Sequence, residues 1–411
     1  MIFSQIFALV KKYSSIRLTK IYMFINVILL PLLIKHFSRF YSKKIDEKLI
    51  ILGAYGGEAF IGNTKYLFKF LNEHSKYKII WVTKSKSLID KLNRDGYRAL
   101  YTYSFNTIKV LRKAQFVFLT HGFEDVLPID FSPKTIIILT WHGTPIKKIN
   151  VDDRRLLMIK KWGIRLRLKL QFHQYVDYLL SIAGGDYEKK VLCTAFRIPL
   201  KKLISLGYPR NDVLFRRDQD FVMEIREFYK IPPKIDKILI YVPTFREDRK
   251  FNFPVSYSDL ERLNNLLSEK NYLLLIKAHI YEREINFSMY KNIRLVEKGS
   301  DVQELLLISD LLITDYSSVI FDYLLKMKPI LIFAYDYKDY LKKVGMYYNL
   351  QEIAPGPILY NADELINAIK NIEKVDVDYS EKRKEIRDKF NKYLDGKSTE
   401  RILNYFKIEY S

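Results

Sequence analysis

Short apolar runs, each closed by a small or polar cluster, recur along this chain. Lys48–Tyr55 (KLIILGAY), Ile79–Thr83 (IIWVT), Phe116–Thr120 (FVFLT), Thr135–Thr140 (TIIILT) and Tyr178–Ala183 are apolar at successive positions rather than alternate ones. Runs of that kind predict strands buried on both faces. Helical patterns separate them, beginning with Tyr66–Leu71. A second series starts at Lys237–Val242 (KILIYV) and continues through Tyr272–Ala278, Ile293–Val296, Leu311–Thr314 and Pro329–Phe333. Strands alternating with helices predict α/β structure with parallel sheets. Turn chemistry at Gly207-Tyr208-Pro209-Arg210-Asn211-Asp212, closed by Pro232-Pro233, marks the junction between the series. From about Asp363 the tail reads as helical and charged, and no internal repeat or low-complexity tract interrupts the pattern.

Polar residues gather where the strands end, and open α/β sheets bind ligands beyond those ends. His121-Gly122 follows one strand and Trp141-His142-Gly143-Thr144-Pro145 another. In the second series Thr244 and Arg246, then His279, then Asp315, Ser317 and Ser318 occupy the same position. The stretch SDLLITDYSSVIFD (309–322) reads as a strand, a hydroxyl-rich turn and a helix over Val319–Leu325. Free backbone N–H groups, the helix dipole and two serine hydroxyls make that turn a candidate phosphate site. The plain alternative is a capped helix, since Ser and Asp are common caps. Gly56-Gly57 and Gly62 after the first strand do not match G-x-G-x-x-G, so no dinucleotide fingerprint is present.

At 411 residues the chain is long enough for two domains. Its single cysteine, Cys193, excludes an internal disulfide framework and a Cys-based zinc site, and fits a reducing compartment. The formal charge of +22 predicts attraction to a polyanion: nucleic acid, an anionic membrane or a phosphate-rich substrate. Met1–Lys44 carries eight Lys/Arg and no acid, and a second basic run spans Arg154–Lys169. The fourteen apolar residues Ile21–Ile34 are too few for a spanning helix and contain Pro31. They read as a basic amphipathic anchor on a membrane surface, or alternatively as a helix packed on the protein's own body. No nucleic-acid-binding motif is visible, and nucleic acid is not an expected partner.

The segments WHGTPIKKI, GYPRNDVLF, YVPTFRED, the strand end at His279, SDLLITDYSSVIFDYLLKMKPILIFAYD and APGP resemble the CDP-glycerol glycerophosphotransferase family of teichoic acid polymerases and primases. The resemblance runs from about Leu49 to Asp339, with a weaker continuation to Pro357. It implies a GT-B-like architecture of two facing Rossmann-like domains. On that basis 1–44 is the basic apolar N-terminal segment, expected as the membrane-surface anchor, 45–206 the acceptor domain, 207–375 the CDP-alcohol donor domain and 376–411 a helical tail. It implies transfer of glycerol phosphate from CDP-glycerol to a hydroxyl of a lipid-linked, phosphate-containing acceptor, with release of CMP, at the cytoplasmic face of the cell membrane.

By the same resemblance His142 is the general base. His279, Arg246, Ser317, Ser318 and Thr244 hold the donor diphosphate, with His279 alternatively an acid toward the leaving CMP. Asp322 reaches the ribose or serves as a helix carboxylate, and Asp315 is a turn residue or, less simply, a metal ligand. No dedicated metal set is expected, and Mg2+ would ride on the diphosphate. Three positions depart from the family's pattern: Ile280 stands for Pro, Val344 for Arg and Asn349 for Asp. They leave open CDP-ribitol or another polyol, and a nucleotide-sugar glycosyltransferase of the same fold remains the rival activity.

Overall fold

The computed structural model describes residues 30–41, 44–153, 179–244, 246, 254–277, 287–297 and 299–411. Residues 21–29 of the expected anchor Ile21–Ile34, the basic run Arg154–Lys169 and His279 lie outside them. Among the described residues, thirteen strands form two sheets. The first contains β1 (Asp46–Leu52), β2 (Lys78–Thr83), β3 (Ala99–Tyr101), β4 (Ala114–Leu119), β5 (Ile136–Leu139), β6 (Leu179–Ala183) and β7 (Leu203–Ser205). The second contains β8 (Lys237–Val242), β9 (Tyr272–Ile276), β10 (Ile293–Leu295), β11 (Leu311–Thr314), β12 (Ile330–Phe333) and β13 (Ile358–Leu359). Their orders are β3-β2-β1-β4-β5-β6-β7 and β10-β9-β8-β11-β12-β13. Every neighbouring pair is parallel.

The continuous apolar runs follow from helices covering both faces of each sheet. In β1, Ile50 and Leu52 belong to one core and Leu49 and Ile51 to the core on the opposite face. In β8, Ile238 and Ile240 face one core while Leu239 and Tyr241 face the other. Each such side chain contributes about 1.5–3 kcal/mol when fully buried. Three strands were not expected from the pattern: β3, β7 and β13, each two or three residues long. The expected helix over Val319–Leu325 is α-helical only over Val319–Tyr323 and tightens to a 3-10 turn over Leu324–Lys326.

The two halves are joined by more than their linker. Ile402, Leu403 and Ile408 from the C-terminal end pack in a core of the first sheet. The Asp212 carboxylate accepts the backbone N–H groups of Ser398 (2.9 Å) and Thr399 (2.8 Å), fixing the start of that last helix. Lys65, on the first half's helix Gly62–His74, is buried against Asp301 and Glu304 of the second, with Nζ 3.0 Å from Glu304. The loop after His142 also pairs across the seam. Lys148 N–H donates to the Gly345 carbonyl (3.0 Å), and Tyr347 N–H donates to the Ile146 carbonyl (2.9 Å). Among the described residues, no helix is long and apolar enough to cross a membrane.

Candidate functional site

A doubly wound sheet opens a crevice where its strand order reverses. Those points lie between β1 and β4 in the first sheet and between β8 and β11 in the second. The polar strand ends singled out above, His279 aside, sit at or beside both.

The first wall is organised by Asp125, which has no exposed surface. Its Oδ2 accepts the N–H groups of Thr120 (2.6 Å) and His121 (2.8 Å) and the Thr120 hydroxyl (3.2 Å). Its Oδ1 accepts the Gly56 N–H (2.6 Å), so one carboxylate pins the β1 loop to the end of β4. With its proton given to Asp125, the Thr120 hydroxyl accepts from His121 Nδ1 at 2.8 Å. His142 Nδ1 lies 3.3 Å from the Thr120 carbonyl oxygen, which can only accept. Both rings therefore carry Nδ1–H and leave Nε2 as the lone-pair nitrogen. The imidazoles stack with centroids 4.0 Å apart and planes 7° apart, and the Trp141 indole lies 3.7 Å from the His142 ring. Burial, then the neighbouring His121, Arg210 and Lys147, hold His142 well below its usual 6.5 against the Thr120 carbonyl. Burial also lowers His121, opposed by Asp125. A neutral imidazole with a fixed tautomer is the state a general base requires.

The second wall is organised by Asp315, which is also wholly buried. Its Oδ1 accepts the N–H (2.8 Å) and hydroxyl (2.5 Å) of Thr244 and the N–H of Tyr316 (2.6 Å). Its Oδ2 accepts from Arg246 Nη2 (2.9 Å). Arg246 also forms a fork with Asp336, Nε to Oδ2 and Nη2 to Oδ1, both 3.1 Å. The Tyr340 ring lies beneath its guanidinium at 4.8 Å. Burial opposes the Arg246 charge, but Asp315, Tyr335 and Asp336 more than offset it, so the net shift is upward. Tyr316 OH donates to Asp336 (2.9 Å), closing the cluster. Beyond it, Ser317 and Ser318 are half-buried at the start of the helix. Ser317 Oγ accepts the Val319 N–H at 3.4 Å, while the Ser318 hydroxyl makes no capping bond.

The walls meet at Gly143. Its φ of +132° is a glycine conformation, and a Cβ there would lie 2.6 Å from Arg210 Nη2 and 2.7 Å from Ser318 Oγ. Arg210 is 7% exposed. Its Nη1 donates to the His142 carbonyl, and its Nη2 lies 2.6 Å from Asp322 Oδ2. Asp322 Oδ1 also accepts from Asn211 Nδ2 (3.0 Å), and Oδ2 accepts from Gln303 Nε2 (3.3 Å). Behind the loop, Glu188 Oε1 accepts from Tyr208 OH (2.6 Å) and the Gly184 N–H, and burial raises its carboxyl.

The structure thus packs the Ser318 side chain against Gly143, the residue after His142, and gathers Thr244, Arg246 and Asp315 into one cluster. It places Asp322 at the seam between the walls. That carboxylate is 3% exposed and engaged by Arg210, Asn211 and Gln303, so it is a seam residue rather than one open to a ribose. Asp315 likewise has no surface to offer a ligand and orients Thr244 and Arg246 instead. The expected His279 contact falls outside the described residues. Asp125, Glu188 and Asp336 were not singled out from the sequence, and Arg210 was noted only as turn chemistry. Asp125 had one legible signal, an acid four residues beyond a strand-end histidine. Among the described residues no group of three or more His, Cys, Asp or Glu is placed to hold a metal ion.

Two parallel sheets with polar strand ends facing across a seam define a GT-B-like α/β fold, close to that of the wall teichoic acid polymerase TagF. A TagF variant with one histidine replaced by asparagine superposes with a TM-score of 0.78 at 27% identity, over 96% of this chain and 98% of that one. The same variant soaked with CDPG gives 0.76 at 26%. The profile of CDP-Glycerol:Poly(glycerophosphate) glycerophosphotransferase matches residues 35–407, and the chain belongs to that family. It is therefore an enzyme that transfers substituted phosphate groups. A teichoic acid glycerol-phosphate transferase of Staphylococcus aureus is 31% identical over 88% of this chain and 93% of its own length. A teichoic acid poly(glycerol phosphate) polymerase of Staphylococcus epidermidis is 31% identical over 87% of this chain, which spans 50% of that longer relative.

Proposed function

We propose that this protein moves glycerol phosphate from CDP-glycerol to a hydroxyl of a lipid-linked, phosphate-containing acceptor in teichoic acid synthesis, releasing CMP. The observation that carries the reading is the neutral, tautomer-fixed His142, whose chain neighbour Gly143 packs against the Ser318 side chain. His142 Nε2 takes the proton of the acceptor hydroxyl as its oxygen attacks the phosphorus bearing glycerol. The bond from that phosphorus to the bridging oxygen breaks, and its electron pair leaves with CMP. Ser317, Ser318 and the N–H groups of their turn bind the diphosphate, where charge builds up in the transition state. Thr244 and Arg246, oriented by Asp315, line the donor side. Arg246 is already compensated by two carboxylates, so its part is to shape the site more than to supply net positive charge. His279 joins the donor site, and Mg2+, where it takes part, arrives on the diphosphate.

CDP-ribitol is the second reading, because two of the departing positions flank the loop that pairs with the His142 segment. The structure gives each a local task that tempers this. Val344 is buried in a core of the second sheet, and the Asn349 side chain caps the helix Leu350–Ile353 by accepting the Gln351 N–H at 3.1 Å. Turnover of CDP-ribitol alone would select this reading; preferential turnover of CDP-glycerol selects the first.

The protein works peripherally at the cytoplasmic face of an anionic membrane. Its helix Leu30–Ser38 packs on the first core through Ile34, with Tyr41 just beyond, while Phe37 and Phe40 are 51% and 77% exposed beside Lys35 and Arg39. Paired aromatic and cationic side chains suit a headgroup surface.

A further inference from the structure

Arg210 lies on the 3-10 segment Pro209–Phe215, which packs against the first-half helix Gly62–His74, the second-half helix Val302–Ile308 and the C-terminal helix Ser398–Tyr405. From that wedge its two terminal nitrogens serve different walls, Nη1 the His142 carbonyl and Nη2 the Asp322 carboxylate. We infer that Arg210 is a positioning residue for the transfer step, tying the orientation of the His142 loop through Asp322 to the seating of the Ser317–Tyr323 turn and helix. The inference rests on the reading of His142 as the base.

Three features support it. A guanidinium is a planar, rigid fork, so it satisfies both acceptors only when the carbonyl and the carboxylate are held in register. Asp322 stands four residues after Ser318 on the same short helix, and Asn211 and Gln303 fix its carboxylate, so its position follows that of the phosphate-side turn. Gly143 has no Cβ at the place where one would strike both Arg210 Nη2 and Ser318 Oγ, which lets the guanidinium lie against the loop. Arg210 is too buried to touch a donor itself, and its Nε is buried without a partner, a donor left unsatisfied in this arrangement. A buried ion pair is a weak source of net stability, but a geometrically demanding one is a strong source of register.

The test uses the full chain as wild type, Arg210→Lys, Arg210→Gln, Asp322→Asn and the double variant Arg210→Gln/Asp322→Asn. Initial rates give kcat and KM for CDP-glycerol, and NMR follows the His142 ring through a pH titration. Each single change is expected to lower kcat about 100-fold with KM for CDP-glycerol within about threefold, because misplaced reacting groups slow the step without loosening the donor. The double variant is expected to be no worse than the worse single one, as for two residues acting as one unit. Arg210→Lys keeps the charge but cannot span both acceptors, so it is expected to melt like wild type and still lose kcat. In Arg210→Gln the His142 titration moves upward, since a nearby positive charge is gone and His121 and Lys147 remain. Losses that multiply in the double variant, a raised KM with unchanged kcat, or wild-type kcat in Arg210→Lys each overturn the inference. Should Arg210→Gln fail to fold, the Arg210→Lys result decides. Should wild type not consume CDP-glycerol, the proposed function falls, and an unchanged His142 titration in Arg210→Gln separately overturns the coupling.

Discussion

The imidazoles of His121 and His142 lie face to face, centroids 4.0 Å apart, with each Nδ1 engaged by a different oxygen of Thr120. Two stacked rings so placed resist a shared charge, and burial adds to the penalty. Both are lowered below their ordinary 6.5.

The first prediction concerns pH. The acid limb of kcat/KM for CDP-glycerol is expected below pH 6.5, since His142 stays neutral there. His121→Gln removes the nearest titrating neighbour and should move that limb upward. Stability has the matching sign. Below pH 6.5 the unfolded histidines bind protons that the folded ones refuse, so the unfolded state gains and stability falls with falling pH. Urea midpoints at pH 7.5 and 5.5 check this, and His142→Asn should flatten part of the difference. An acid limb at or above 6.5 in wild type removes the claim that the site holds His142 neutral.

Gly143→Ala tests the closeness of the two walls. The new Cβ meets Arg210 and Ser318 inside contact distance, on a backbone that L-residues rarely adopt. The strain is expected to cost about 1–3 kcal/mol of stability and most of the transfer activity. Thermal melting and turnover of the purified variant measure both; a variant equal to wild type in each shows that the walls do not close at this point.

The seam can be probed away from the chemistry. Lys65 and Asp301 are both buried and lie on opposite halves. Desolvation opposes each charge, yet Lys65 is raised by Asp301 and Glu304 and Asp301 is lowered by Lys65. Lys65→Met strands a buried carboxylate and should destabilise by about 3–5 kcal/mol. Adding Asp301→Asn should recover at least about 1 kcal/mol, a coupling that a double-mutant cycle in urea reads directly. Strictly additive effects show that the two groups do not interact across the seam.

The strands were legible because their cause is local. Ten apolar runs, from Lys48–Tyr55 to Pro329–Phe333, correspond to observed strands within a few residues, since burial on both faces writes itself into consecutive positions. β3, β7 and β13 escaped because two or three residues at a sheet margin carry too little pattern to count. His142 and the Ser317-Ser318 turn were legible as strand-end chemistry, but their supports were not. Asp125 reaches Gly56 across 69 positions, Arg210 reaches His142 across 68, and Arg246 finds Asp336 across 90. No spacing rule spans such distances; strand order within each sheet, and for Arg210 the junction of the halves, brings them together. The seam contacts of Asp322 were hidden for the same reason. Its position one turn into a helix was visible, whereas its Arg210 partner came from the junction segment Pro209–Phe215.

Membrane attachment has its own test. Phe37→Ser/Phe40→Ser in the full chain should lower the fraction floating with anionic vesicles, with little change on neutral ones, because apolar contact and charge act together at such surfaces. Equal flotation of variant and wild type on anionic vesicles removes this helix from the contact.

The central claim is the transfer itself, with His142 as its base. The most direct measurement is CMP release by the purified full chain given a lipid-linked glycerol phosphate acceptor and, in parallel, CDP-glycerol, UDP-sugars or GDP-sugars. The account predicts CMP from CDP-glycerol only, lost by about 1000-fold in His142→Ala with the fold intact. Nucleotide release from a UDP- or GDP-sugar with none from CDP-glycerol, or near wild-type turnover in His142→Ala, would contradict it.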